Sequence, residues 1–299
     1  MQSATFLLRL PQHHSHLCLS DRFLRSHRST STCPKWKLAS RIAVARMSPP
    51  ANNSHSLSSE SSLAALAPLE AILFDIDGTL CDSDPFHYYA FREMLQEVGF
   101  NGGILITEEF YVKKISGIHN EELCHFLFPD WEIQKARKFM EDKEEMFRRL
   151  ASEKLEPVKG LQKLLKWIEG QGVRRAAVTN APRPNAELIL SLLGLNDFFE
   201  TLVIGSECGR AKPFPDPYLK ALKVLGVSEK HAFVFEDSAS GTKAGVTAGM
   251  PVVGLGTRNP EKLLTEAGAA FVITDFLNPK LWKALEELEK NAEVAGIEA

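Results

Sequence analysis

Ala71-Ile72-Leu73-Phe74-Asp75-Ile76-Asp77-Gly78-Thr79 is the stretch that decides the fold. Four apolar residues without a two-residue period predict a strand buried on both faces, as in a parallel sheet. That strand then delivers two acids, Asp75 and Asp77, into a loop where Gly78 permits a sharp turn. Paired carboxylates leaving a buried strand are costly unless their charge is offset, and a divalent cation would do so. Similar apolar runs recur at 175–178, 201–204, 232–235, 251–253 and 270–273, with helical stretches at 185–193, 217–224 and 240–248 between them. Strands alternating with helices predict an α/β fold, a parallel sheet with helices on both faces.

One interval breaks that rhythm. Between the first two strands the pattern predicts helices at 85–97, 108–115, 121–126 and 132–151, then another at 161–169. Residues 83–156 therefore read as an inserted helical subdomain, with 69–82 and 157–299 forming the core.

Ligands of open α/β sheets bind outside the carboxyl ends of the strands. The second strand ends in Thr179-Asn180, the third is followed by Lys212-Pro213, and the fourth ends in Glu236-Asp237. Taken singly these are ambiguous. Thr179 and Asn180 suit a phosphate oxygen or a helix cap, and a lone loop lysine is usually solvated. Together, two acid pairs, a hydroxyl and an ammonium at one sheet edge describe a hard-metal site beside a phosphoryl group.

Asp75-x-Asp77-Gly78-Thr79, Thr179-Asn180, Lys212-Pro213 and Glu236-Asp237 resemble, in order, the four motifs of the haloacid dehalogenase-like superfamily. The resemblance covers about residues 69–290 and implies a Rossmann-like core with a helical cap. Within the superfamily the chain resembles plant broad-range sugar-phosphate phosphatases and β-phosphoglucomutase-like proteins. The resemblance implies Asp75 as nucleophile, Asp77 as general acid and base, and Thr179 and Lys212 stabilising the phosphoryl group. It implies Mg²⁺ held by Asp75, the backbone carbonyl of Asp77, and Asp237, with Glu236 beside or on the metal. His87, in Cys81-Asp82-Ser83-Asp84-Pro85-Phe86-His87, is similar to a histidine that reaches the site from the cap.

Two enzymatic readings compete. A phosphosugar mutase must grip a second phosphate, and the resembling mutases place an Arg at the position of Asn120 and a Lys near Pro182. This chain has Ser116-Gly117-Ile118-His119-Asn120 and Ala181-Pro182-Arg183 there. Losing the loop Arg favours a phosphatase of small sugar or polyol monophosphates, since Arg is the residue for bidentate phosphate grip. Gly117, His119, Asn120, Asn180 and Arg183 are the expected substrate contacts beside His87. Asn120 has a second reading as cap of the helix next to it. A non-catalytic binding protein on this fold is a third reading, and the intact acids speak against it.

Charge excludes other classes. Residues 1–50 hold eight Lys/Arg against Asp21 alone, leaving 27 basic and 37 acidic side chains in the remainder. An acidic folded region is unsuited to nucleic acid. No apolar run approaches the roughly 18 residues of a membrane span. Five cysteines without a C-x-x-C pair exclude a disulfide scaffold and a zinc ribbon. The basic, Ser-rich, acid-poor N-terminus reads as a transit peptide for a plastid, with Met47 offering a cytosolic start as the alternative. Residues 51–68 read as linker. The expected partner is a small phosphate ester, and a monomer is expected.

Overall fold

The computed structural model describes residues 61–294 and 296, so the targeting segment expected at the N-terminus lies outside the described residues. In chain order the elements are α1 (Ser61–Ala64), β1 (Ala71–Phe74), α2 (Asp84–Glu97), α3 (Glu108–Lys114), α4 (Asn120–Leu127), α5 (Ile133–Lys154), α6 (Leu161–Gln171), β2 (Arg174–Thr179), α7 (Arg183–Leu192), β3 (Thr201–Ile204), α8 (Asp216–Leu225), β4 (Ala232–Glu236), α9 (Ala239–Thr247), β5 (Val252–Leu255), α10 (Glu261–Glu266), β6 (Phe271–Ile273) and α11 (Pro279–Val294).

The six strands lie in the order β3-β2-β1-β4-β5-β6, and every pairing is parallel. This is the Rossmann-like α/β sheet that the sequence predicts. The chain runs outward from β1 through β2 to β3, then crosses back to β4, so the order reverses between β1 and β4. Ligand crevices form at such switch points. Register carries the chemistry there: Phe74 pairs with Phe235, and the amide of Asp75 donates to the Phe235 carbonyl at 3.0 Å. Asp75 and Glu236 therefore leave adjacent strands at one level.

Alternation of side chains across the pleat divides the core. Ile72, Phe74, Phe233 and Phe235 pack with Leu164 and Ile168 of α6, Ile189 of α7, and Leu281 and Leu285 of α11. Leu73, Val178 and Val234 pack with Tyr218 and Leu222 of α8 and Ala244 of α9. A third cluster, including Phe91, Leu95, Tyr111, Leu123, Phe139 and Met140, fills the helical insert of α2 to α5. Helix α5 serves two cores, because its Phe147 and Ala151 join the sheet cluster. No helix among the described residues is long and apolar enough to cross a membrane.

One boundary differs from the sequence expectation. Leu63 and Leu66 lie in the stretch read as linker, yet both are buried in the sheet's larger cluster. Placed three residues apart, they share one side of the chain. The amide of Asn291 on α11 donates to the Ala64 carbonyl at 3.0 Å. Polar composition up to residue 62 masks this short anchor. Leu63→Ala is therefore expected to destabilise the protein by about 2–5 kcal/mol, the range for an emptied leucine site. Denaturant unfolding of the two proteins measures it, and a loss below about 0.5 kcal/mol, the surface-substitution range, would place α1 outside the core.

Candidate active site

Lys212 arrives from the loop after β3 and is 3 % exposed. Its ammonium donates to Asp75 Oδ1, Glu236 Oε1 and the Val178 carbonyl, each at 2.7 Å. An ammonium has three donors, and all three are used. Burial works against this charge, but Asp75 and Glu236 outweigh it and raise the Lys212 pKa above its ordinary value. Asn180 pins the loop to the end of β2. Its amide donates to the Lys212 carbonyl at 3.0 Å and accepts from the Lys212 amide at 3.1 Å.

Glu236 is built into the framework. Oε1 also accepts from Tyr218 Oη at 3.1 Å, and Oε2 accepts from the amide and hydroxyl of Ser238, both at 3.0 Å. Ser238 caps helix α9, its hydroxyl accepting from the Gly241 amide, and this brings Gly241 against the carboxylate. A Cβ at 241 would lie 1.5 Å from Glu236 Oε1. Gly78 meets two demands at once. It has φ of +77°, and a Cβ there would lie 2.1 Å from Asp237 Oδ2.

Asp75, Glu236 and Asp237 bring carboxylate oxygens within 4.8 Å of one another, all buried. Lys212 alone does not balance them. Burial first, then the nearby Glu236, pushes the Asp75 carboxyl up to about 8. Burial, then Asp75, pushes Asp237 well above the usual carboxylate range. A buried oxygen-donor set with excess negative charge fits a hard divalent cation.

Above these acids lies a cavity of about 650 Å³ of empty space, counting its mouth, which is bounded by core and insert together. Asp75, Asp77, Thr179, Asn180, Lys212 and Asp237 line its floor, and His87, Gly117, Asn120, Lys143 and Glu144 line the insert side. His87 stacks flat on Phe147 at 3.7 Å. Its Nε2 lies 3.1 Å from Asp77 Oδ1, and its Nδ1 lies 3.5 Å from Lys143 Nζ. An ammonium only donates, so that contact makes Nδ1 the acceptor and leaves Nε2 to donate to Asp77. The Thr179 hydroxyl accepts from the Ala181 amide at 2.9 Å. Gly117 rests on the core, where a Cβ would lie 2.7 Å from Ser238 Cβ.

The structure separates the remaining expected contacts. His119, not Asn120, caps α4, its ring accepting from the Glu121 amide at 3.3 Å. Asn120 instead donates to Glu144 Oε1 at 2.7 Å. Arg183 is absent from the cavity lining, and its guanidinium is taken up by both oxygens of Glu207 at 2.8 Å. Lys143 and Glu144 escape a reading of the sequence because they sit in a charged stretch. Their signal is spacing, since 140, 143 and 147 share one helix face, and Met140 and Phe147 on it are apolar.

A family model for haloacid dehalogenase-like hydrolases matches residues 72–255. The chain belongs to that family. A phosphorylated carbohydrates phosphatase of Thermotoga maritima is 31% identical over 208 residues, 69% of this chain and 94% of that protein. The crystal structure of CbbY from Rhodobacter sphaeroides in complex with phosphate superposes with a TM-score of 0.59 at 27% identity, covering 70% of this chain and 95% of that one. The Arabidopsis thaliana protein SUPPRESSOR OF QUENCHING 1, chloroplastic, is 26% identical over 236 residues, 75% of this chain and 22% of that protein.

Glu144 gives the site an acid signature. Burial works to raise its carboxyl, but Lys143 foremost, then His87, outweighs it and holds it at about 2, against 4.5 when unperturbed. A depressed carboxyl stabilises the fold above its unfolded value and loses that contribution as pH falls through its folded one. The stability gap between wild type and Glu144→Gln should thus be full above about pH 5 and narrow by about 3 kcal/mol toward pH 2. Denaturant midpoints across that window measure it, and a pH-independent gap would contradict the assignment.

Proposed function

We propose that this protein is a Mg²⁺-dependent phosphatase of small sugar or polyol monophosphates, with Asp75 as nucleophile. The carrying observation is Asp75, held by Lys212 among buried carboxylates, beneath a polar cavity that also presents Asp77 bonded to His87. The named activity of the Thermotoga relative supports the same reading.

Asp75 and Asp237, with the backbone carbonyl of Asp77, would hold the metal, while Glu236 keeps Lys212 and the Ser238 turn in place. Mg²⁺, when bound, supplies positive charge beside the nucleophile and the phosphoryl oxygens. A carboxylate oxygen of Asp75 attacks phosphorus, the ester P–O bond breaks, and Asp77 gives its proton to the departing alkoxide. Asp77 then takes a proton from water, the water oxygen attacks phosphorus, and the Asp75–phosphorus bond breaks to release phosphate. Lys212 and Thr179 stabilise the transferring group. His87 orients Asp77. Residues 83–156 act as a cap that excludes bulk water from the floor.

The mutase reading needs a free cation at the far end of the cavity. Arg183 is paired outside it and Asn120 is bound to Glu144, which supports hydrolysis. We also assign the basic N-terminal segment to plastid targeting, in keeping with its composition and the chloroplastic relative, and take the enzyme to act as a monomer.

Asp75→Asn tests the reading. Phosphate release from a sugar-phosphate panel should fall to below a few per cent of wild type. The melting temperature should not drop, because the variant no longer buries an acid whose ionised form is disfavoured. Retained turnover would remove Asp75 as nucleophile.

Metal binding should be linked to protons. With Asp75 near 8 in the metal-free protein, its carboxyl is mostly protonated at pH 7, and ligation requires the ionised form. Mg²⁺ affinity should therefore rise from pH 6 to about 8, with protons released at pH 7, and the raised Asp237 carboxyl adds to that release. Calorimetry in two buffers of different ionisation enthalpy reads the release directly. Binding without proton release would place the ion elsewhere.

A further inference from the structure

The far end of the cavity bears one buried cation and one buried anion. Given the phosphatase reading, on which the proposal rests, we infer that Glu144 masks Lys143, and that this pair restricts the site to phosphate esters whose non-reacting end is uncharged and rich in hydroxyls.

Both side chains line the cavity, and they are 2 % and 4 % exposed. Lys143 Nζ lies 2.5 Å from Glu144 Oε1 and 4.5 Å from the centre of the Phe91 ring. Alone, an ammonium at that place would be a phosphate site, because a buried charge attracts anions far more strongly than an exposed one. Glu144 cancels it. The carboxylate cannot swing away, since Asn120 donates to Oε1 at 2.7 Å and Asn185 to Oε2 at 2.6 Å. Asn185 is itself tied to Arg148, whose guanidinium donates to its Oδ1 at 2.9 Å.

The same contacts settle what the wall offers a ligand. The Asn120 amide group, a donor that could have met a phosphate, is turned onto Glu144. Asp84 adds a second buried acid to the lining, with Oδ1 accepting from Tyr111 Oη at 2.9 Å. Among the described residues, no arginine lines the cavity. A second phosphate entering there would meet carboxylates and no unpaired cation, whereas hydroxyls can donate to those acids. Specificity is thus set by rejection of charge as much as by attraction.

Two variants of opposite sign test this, with p-nitrophenyl phosphate hydrolysis as the reporter. Inhibition constants are measured for fructose 1-phosphate and fructose 1,6-bisphosphate, which differ only in the second phosphate. Glu144→Gln unmasks Lys143 and is expected to shift the ratio of the two constants toward the bisphosphate by roughly tenfold or more. Lys143→Gln leaves the acid alone and is expected to shift it the other way. A folded Glu144→Gln protein whose ratio moves less than about threefold would overturn the inference, as would a shift of both variants in one direction. Should Glu144→Gln fail to fold, Lys143→Gln decides, and a ratio that does not move away from the bisphosphate overturns it. Wild-type protein that hydrolyses no phosphate ester would instead sink the phosphatase reading, a separate outcome.

Discussion

The ammonium of Lys212 is the constraint on which the rest of the site depends. Three carboxylates leave neighbouring positions at the edge of one sheet, all buried. Without an internal cation their mutual repulsion would add to the penalty of removing each from water. Lys212 answers with its full set of donors, two to acids at the ends of β1 and β4 and one to the Val178 carbonyl of β2. It is therefore a structural tie across three strands. Its place is inherited from Asn180, whose amide grips the lysine's backbone from both sides. Burial first, then the neighbouring carboxylates, raises the Asp75 and Asp237 pKa values, and a metal ion would relieve that excess of negative charge.

Helix α5 carries the same logic to the other side of the cavity. Its buried face contributes Phe139 and Met140 to the insert, Lys143 and Glu144 to the cavity, then Phe147 and Ala151 to the sheet core. A single helix thus sets both the floor of His87, through Phe147, and the charge of the far wall. Insert and core are joined by polar contacts at that wall, Glu144 to Asn185 and Arg148 to Asn185.

Much of this was legible in the sequence for a physical reason. A strand buried on both faces must be continuously apolar, and it can end in acids only where something compensates them. The runs at Ala71–Phe74 and Thr201–Ile204 coincide with strands β1 and β3, and the polar residues that break such runs are the ones that line the cavity floor. Legibility failed where the deciding contact is made across the fold. The one local mark that sets Lys143 and Glu144 apart from the solvated charges around them is a helix face shared with Met140 and Phe147, and burial is what decides. Local propensity favoured Asn120 as the cap of α4, but the helix begins one residue earlier, with His119 as its cap and Asn120 in the first turn donating to Glu144. Helix α11 did carry a signal, with Leu281, Leu285 and Leu288 at helical spacing, and α1 was hidden only by the Ser-rich stretch before it.

The insert enters and leaves the core at one point. The amide of Asp82 donates to the Glu156 carbonyl at 3.1 Å, and the amide of Val158 to the Leu80 carbonyl at 2.9 Å. The two leads run side by side, fastened before the excursion begins and after it ends. To the sheet, the residues between them amount to a closed side loop, and the entropy of closing such a loop grows only slowly with its length. Pairing of β1 with β2 is therefore insulated from the size and composition of the excursion. The insert can be rewritten while the sheet edge that carries the buried acids keeps its alignment, which makes this junction a socket rather than a mere hinge.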